Sequence, residues 1–469
     1  MGYLVKFLAV SFVFLFNTQL CAQNIVLVKD IVLGVNSSSP QFLVDFNGEL
    51  YFGTSMTSGL WRSDGTELGT VQAEGFATIS SDFVSELQVY NNKLYFNTFS
   101  NKAFWSKDTG INNAVMIANQ FNALSSGTYI SMALASEYIV MGGRDYSVAG
   151  NPVNLFRSDG AMVEEFGTFT SGSNGPIPFY IGKVGNNLLF SAIETATGRE
   201  LYSTDATTAT TQRLTDIYPG SIGGLTDVTG GLGGNILNGE FYFSGFSPDG
   251  KRIWKTDGTS LGTVVVDDLT MNYQNPSYLT KYDNSIFFFA NSSSNPVEQL
   301  WRVSSGDTAP TLLTTTPFSA SSACTGHKSM INNGILYFPY EANSAGCELW
   351  RSDGTPAGTY QLIDINLGTE SSFPKFLISF NNILYFTALK AGFGFEIWKT
   401  DGTQAGTTML SDLNPGNASN TTYQMVESGG TIFFMADDGA TGSELYKLAF
   451  PPPPDDIFAD GFEEIGPIL

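Results

Sequence analysis

A single histidine, His327, serves the whole chain. Histidine-based nucleophilic triads and multi-histidine metal sites need partners that spacing does not assign to it, so His327 reads as a polar strand or loop residue. Positive charge is also scarce. There are 22 Lys and Arg against 44 Asp and Glu, a net charge of -22. That argues against a nucleic-acid partner, which needs a basic footprint, while favouring solubility and leaving cation binding open. No Gly-rich phosphate loop occurs, and no EF-hand or nonapeptide calcium repeat. The acidic residues offer many pairs for glycoside hydrolysis, but nothing singles one out. No cofactor is implied. Calcium stays open because acidic loop residues recur along the chain.

Charged residues make up 14% and aromatics 13%, the balance of a β-rich extracellular protein with many turns. Its most informative stretch is Gly346-Cys347-Glu348-Leu349-Trp350-Arg351-Ser352-Asp353-Gly354-Thr355, which recurs as Gly394-Phe395-Glu396-Ile397-Trp398-Lys399-Thr400-Asp401-Gly402-Thr403. Shorter copies surround Trp61 and Asp64, and Trp254 and Asp257; weaker ones centre on Trp105, Phe156, Tyr202, Trp301 and Tyr446. The nine aromatic positions step by about 48 residues, a propeller-type period, and all six tryptophans occupy them.

Each unit parses into four short strands. A turn such as Asn47-Gly48, Asn238-Gly239 or Asn381-Asn382 precedes the third, and these residues tolerate the positive φ of tight hairpins. Strands such as Leu50-Tyr51-Phe52 and Leu94-Tyr95-Phe96 are apolar throughout, as burial on both faces requires. The Asp of Asp-Gly-Thr reads as a turn cap accepting from backbone N–H groups two residues on, with Gly supplying a left-handed residue. Structural repeat positions are therefore Trp61, Asp64, Trp105, Trp254, Asp257, Trp301, Trp350, Asp353, Trp398 and Asp401, with Trp expected on the last strand, packed against the next sheet. Unit three is least regular. Its long loop, Gly142 to Asn154, is either a binding edge or a neutral insertion.

Residues 1–22 read as a secretory signal: Lys6, a largely apolar Phe7 to Phe16, and a small residue, Ala22. Residues 23–450 carry the repeats. Residues 451–469 form a proline spacer and an acidic, flexible tail. No later run reaches the roughly 18 apolar residues that cross a bilayer.

With Glu-Leu-Trp, two residues and Asp-Gly-Thr in hand, the chain resembles the bacterial ELWxxDGT repeat family, also called hyalin-like. The resemblance covers about residues 24–450 and implies secretion or surface display and a propeller-like fold, without a known activity. Units two, three, four and six depart from the motif.

The fold expected is all-β: one closed β-propeller of four-stranded blades, with eight or nine blades from nine units, because unit two or three is irregular enough to be incomplete. The function expected is a non-enzymatic binding module for an extracellular glycan or protein. The alternatives are a polysaccharide hydrolase or lyase with carboxylates at the pore, and a structural matrix protein. The Asn-Gly turns and Asp-Gly-Thr loops should share one face, and the variable loops the other. Without the signal, Cys324 and Cys347 are the only cysteines, and both fall at one end of unit seven. They are expected to pair in an oxidising compartment.

Overall fold

The structure is a computed structural model. It describes residues 24–450 with interruptions, the longest at 74–81, 123–131, 146–152, 169–177, 226–234, 315–323 and 417–423. The segment expected to be a signal (1–22), His327 and the expected tail (451–469) lie outside the described residues.

Nine antiparallel sheets form a nine-bladed propeller, and the described residues contain no helix longer than an isolated 3-10 position. Strands are lettered A to D within each blade. Blade 1 shows the pattern: A is Pro40–Phe46, B Glu49–Thr54, C Trp61–Ser63 and D Val71–Gln72. Contacts between neighbouring blades run through the A strands, for example Pro40–Phe46 against Val84–Tyr90 on one side and Met425–Ser428 on the other. The A strands are therefore innermost.

The units are phased one strand later than the sequence parse. The strand taken as the first of unit seven, Thr311–Leu312, is the outer strand D of blade 6, paired to Trp301 and Arg302. Asn24–Lys29 is likewise strand D of blade 9, paired to Ser443–Ala449. The first strand thus completes the last blade and closes the ring without a free sheet between its ends. Trp accordingly sits on strand C rather than on the last strand.

Both irregular units form blades. Blade 2 has four strands and blade 3 has five, because Met132–Ala135 adds a second pairing to Tyr138–Asp145. The presumed long loop from Gly142 to Asn154 is largely hairpin: Gly142 pairs with Leu155, Gly143 with Asn154 and Arg144 with Val153. Only residues 146–152 remain, outside the described residues.

The B strands carry the core. In Glu49–Thr54, Lys93–Thr98 and Ile335–Glu341 every residue after the first is buried, since each lies between two neighbouring sheets. Opposite each B-strand Phe stands the repeat aromatic of strand C: Phe52 faces Trp61, Phe96 faces Trp105 and Phe386 faces Trp398. The rings stack at 6.3–6.4 Å. The indole then reaches the preceding blade, not the next one. Trp350 of blade 7 packs with Phe287, Phe289 and Leu300 of blade 6, and Trp398 of blade 8 with Tyr337 and Leu349 of blade 7.

Candidate functional site

The two faces differ in construction. On the turn face lie the A–B turns and the C–D loops, as antiparallel pairing demands. Asn47, Asn92, Asn238 and Asn382 take φ values of 52–61° in the turns, a region that Asn tolerates.

The C–D loop uses the whole repeat motif. Asp64 Oδ1 accepts from Thr66 N at 2.8 Å and from its hydroxyl at 2.7 Å. These bonds hold the carboxyl below its ordinary range. Ser63 and Thr70 hydroxyls pair at 2.7 Å, as do Thr256 with Thr263 and Thr400 with Thr407. Asp257, Asp353 and Asp401 repeat the Asp64 bonds. The second glycine is obligatory: a Cβ on Gly358 would stand 2.0 Å from Asp353 Oδ1. Oδ1 of each of these four Asp residues is therefore bonded within its own loop, as a turn cap.

The loop is also tied to its neighbour. Arg302 of blade 6 donates to the carbonyl of Gly354 in blade 7 at 2.8 Å, and Arg157 of blade 3 to that of Ala206 in blade 4 at 2.9 Å. The basic residue after the aromatic thus stitches one blade to the next.

The opposite, link face carries the B–C loops and the links from strand D to the next blade. The links vary in length, residues 266–272 against 214–234 for example. In blades 4, 7, 8 and 9 the link is bonded by a residue the sequence reading passed over: the Glu of Glu-Leu-Trp. Glu200, Glu348, Glu396 and Glu444 are each 0% exposed. Glu348 accepts from Ile365 N at 3.1 Å, Asn366 N at 3.4 Å, Ser372 N at 3.1 Å and Ser372 Oγ at 2.5 Å. Glu444 repeats this set with Ile31, Val32 and Ser38, and Glu200 binds Ile217, Tyr218 and Gly224. The carboxylate folds the link of its own blade beneath it. Burial pushes Glu200 and Glu348 up to about 7, against the downward pull of these donors. A charged residue at a fixed position inside an otherwise apolar strand was the available signal.

Cys324 and Cys347 form a disulfide with Cα atoms 5.6 Å apart. It joins the link from blade 6 to the start of strand C in blade 7, one residue before Glu348. Both cysteines are buried.

The tryptophans are packing residues. Trp301 Nε1 donates to Ala290 O at 3.1 Å, whereas Nε1 of Trp61, Trp105, Trp254, Trp350 and Trp398 is buried without a partner. Among the described residues no three His, Cys, Asp or Glu side chains converge on a metal position, and no helix is long and apolar enough to cross a membrane.

No family model and no curated protein matches the chain. Solved structures do. A puromycin-hydrolyzing peptidase of Mycobacterium tuberculosis is 10% identical at a TM-score of 0.40, over 75% of this chain and 58% of that one. A puromycin hydrolase is 11% identical at 0.38, over 87% and 60%. A prolyl endopeptidase is 11% identical at 0.40, over 85% and 54%. The chain spans little more than half of their lengths, and the likeness is one of fold. It corrects the expectation of a non-enzymatic module. That expectation rested on the N-terminal pattern, the repeat scaffold and the lack of an assignable catalytic set, and a scaffold does not mark a non-enzyme. The likeness brings none of their chemistry to this chain.

Proposed function

We propose that the chain works outside the cell, as an exported ring whose link face carries a site that acts on an extracellular polymer, by cleavage or by holding it. The difference between the faces carries this reading. On the turn face the intact Asp-Gly-Thr loops repeat one set of internal bonds. The link face has loops of unequal length, resting in four blades on the buried carboxylates Glu200, Glu348, Glu396 and Glu444, and variable loops on a rigid scaffold are where recognition concentrates. Leu33, Val35 and Leu367 stand exposed at its link tips. The N-terminal pattern of residues 1–22 and the ELWxxDGT resemblance support export.

The test is to pass the purified ring over immobilised extracellular polysaccharides and matrix proteins, measuring both retention and release of cleavage products. The double variant Leu33→Asp, Leu367→Asp alters the link face. Leu68→Asp, Leu261→Asp alters exposed leucines of the C–D loops on the turn face. Retention or cleavage lost only in the first pair is the expected result. Loss confined to the second pair, or no retention and no cleavage of any material, contradicts the reading.

A further inference from the structure

Glu348 and Glu444 each hold a serine of the link they anchor. In the link from blade 9 to blade 1 it is Ser38, whose N–H and hydroxyl both donate to Glu444. In the link from blade 7 to blade 8 it is Ser372, which donates to Glu348 in the same way. Each serine stands nine residues before the first asparagine of its A–B turn, Asn47 or Asn381. Both asparagines have positive φ, as does Asn333 in blade 7. Nine residues before Asn333, in the link from blade 6 to blade 7, stands Cys324.

The acceptor changes with the serine. Glu348 lies two residues before Trp350, and Glu444 two before Tyr446; the residue two before Trp301 is Gln299, also buried. Its amide is neutral and has one oxygen where a carboxylate has two. Its Nε2 donates to the carbonyl of Thr314 at 3.1 Å, just past strand D. Cys324 has no hydroxyl to donate, and its sulfur is bonded to Cys347. Disulfide and serine–glutamate pair thus start from matching places but run in opposite senses. The serine ties its link back to the blade that the link leaves. Cys324 ties its link forward to the blade that the link enters.

The backbone at Cys347 does not depend on the sulfur. Its N–H donates to Ser371 Oγ at 2.9 Å, and its carbonyl accepts from Phe373 N at 3.0 Å. In blade 9 the corresponding residue is Ser443, whose N–H donates to Ser37 Oγ at 2.9 Å and whose carbonyl accepts from Ser39 N at 2.9 Å. A serine therefore supports the same bonds, and the thiol of Cys347 serves the link before it.

We propose that the Cys324–Cys347 disulfide is an oxidation-dependent latch that holds the chain where it enters blade 7, in place of the serine–glutamate anchor used at the entries to blades 8 and 1. Closing it joins the two thiols in one S–S bond and reduces a small external disulfide to two thiols, through a mixed disulfide; the cysteine protons pass to the released thiols. Order at this one entry depends on oxidation, and order at the other two does not. The latch is a property of the fold and holds whatever polymer the link face acts on.

Backbone hydrogen exchange reads the opening of each link separately. In the double variant Cys324→Ser, Cys347→Ser, exchange over residues 324–332 should quicken at least about tenfold. Exchange over 30–39 and 364–373 should stay as in the oxidised wild type. Adding Gln299→Glu supplies the missing carboxylate beside a serine, and should slow 324–332 again by at least about threefold. Unchanged exchange over 324–332 in the double variant overturns the proposal. So does equal quickening of all three segments, which would make the disulfide a support of the whole ring, or no recovery with Gln299→Glu. If a variant fails to fold, wild-type chain refolded with and without dithiothreitol gives the same reading. Failure to refold with dithiothreitol also overturns the proposal, because the ring rather than one link would then need the bond.

Discussion

Arg351 of blade 7 donates through Nη1 to the carbonyl oxygen of Gly402 in blade 8, at 2.8 Å. The bond links the residue after one repeat tryptophan to the Asp-Gly-Thr loop of the next repeat, so the motif describes a junction as much as a blade. Arg351→Met keeps much of the apolar stem and removes the donor. It should destabilise by about 1.5–3 kcal/mol, the range for a hydrogen bond to a charged group, measured by denaturant unfolding. No change in midpoint would assign Arg351 to the surface alone.

Glu348→Ala should be far more damaging. It removes one acceptor and strands the N–H groups of Ile365, Asn366 and Ser372 beneath a packed loop. Each orphaned donor costs about 1–3 kcal/mol, so a loss of at least about 3 kcal/mol is expected. Asp353→Ala, which removes a cap from an exposed loop, should cost about 1 kcal/mol. Equal losses would contradict the division between a floor on one face and caps on the other.

The same carboxylates set the pH dependence. Burial, the largest cause, raises Glu200 and Glu348 from 4.5 to about 7. The folded chain therefore holds these protons more tightly than the unfolded chain. Their contribution to stability is fully present below about 4.5 and is lost as pH rises through about 7. The thermal midpoint should fall between pH 5 and pH 8, and Glu348→Gln should flatten that slope. A midpoint that rises over this window would show the donors outweighing burial.

Much of this ring was legible from local pattern. Trp350 and Trp398 gave the period, Asn381 and Asn382 a turn, and Asp353 its cap, because each depends on residues within one unit. The pairing of Cys324 with Cys347 followed from their falling at one end of unit seven. What escaped depends on partners far along the chain. Asn24–Lys29 pairs with Ser443–Ala449, more than four hundred residues away, so the phase of the blades could not be read from one repeat. Trp350 packs on the preceding blade, and sequence periodicity carries no sign for that direction. Glu348 looked like one more strand charge, since its donors sit on a link whose path only the fold defines.

Trp301 and Trp350 occupy equivalent positions with different polar contacts. Trp301 Nε1 is bonded to Ala290 O, and Trp350 Nε1 has no partner. Trp301→Phe should therefore cost about 1 kcal/mol more than Trp350→Phe, the loss of packing volume being common to both. The reverse order would show that the indole N–H plays no part in the difference.

Ring closure by Asn24–Lys29 is the central claim, and solution X-ray scattering of the purified chain tests it most directly. A closed propeller of about 427 residues should have a radius of gyration of about 22 Å. A radius well above about 30 Å, the mark of an open array of sheets rather than a compact domain, would contradict the closed ring.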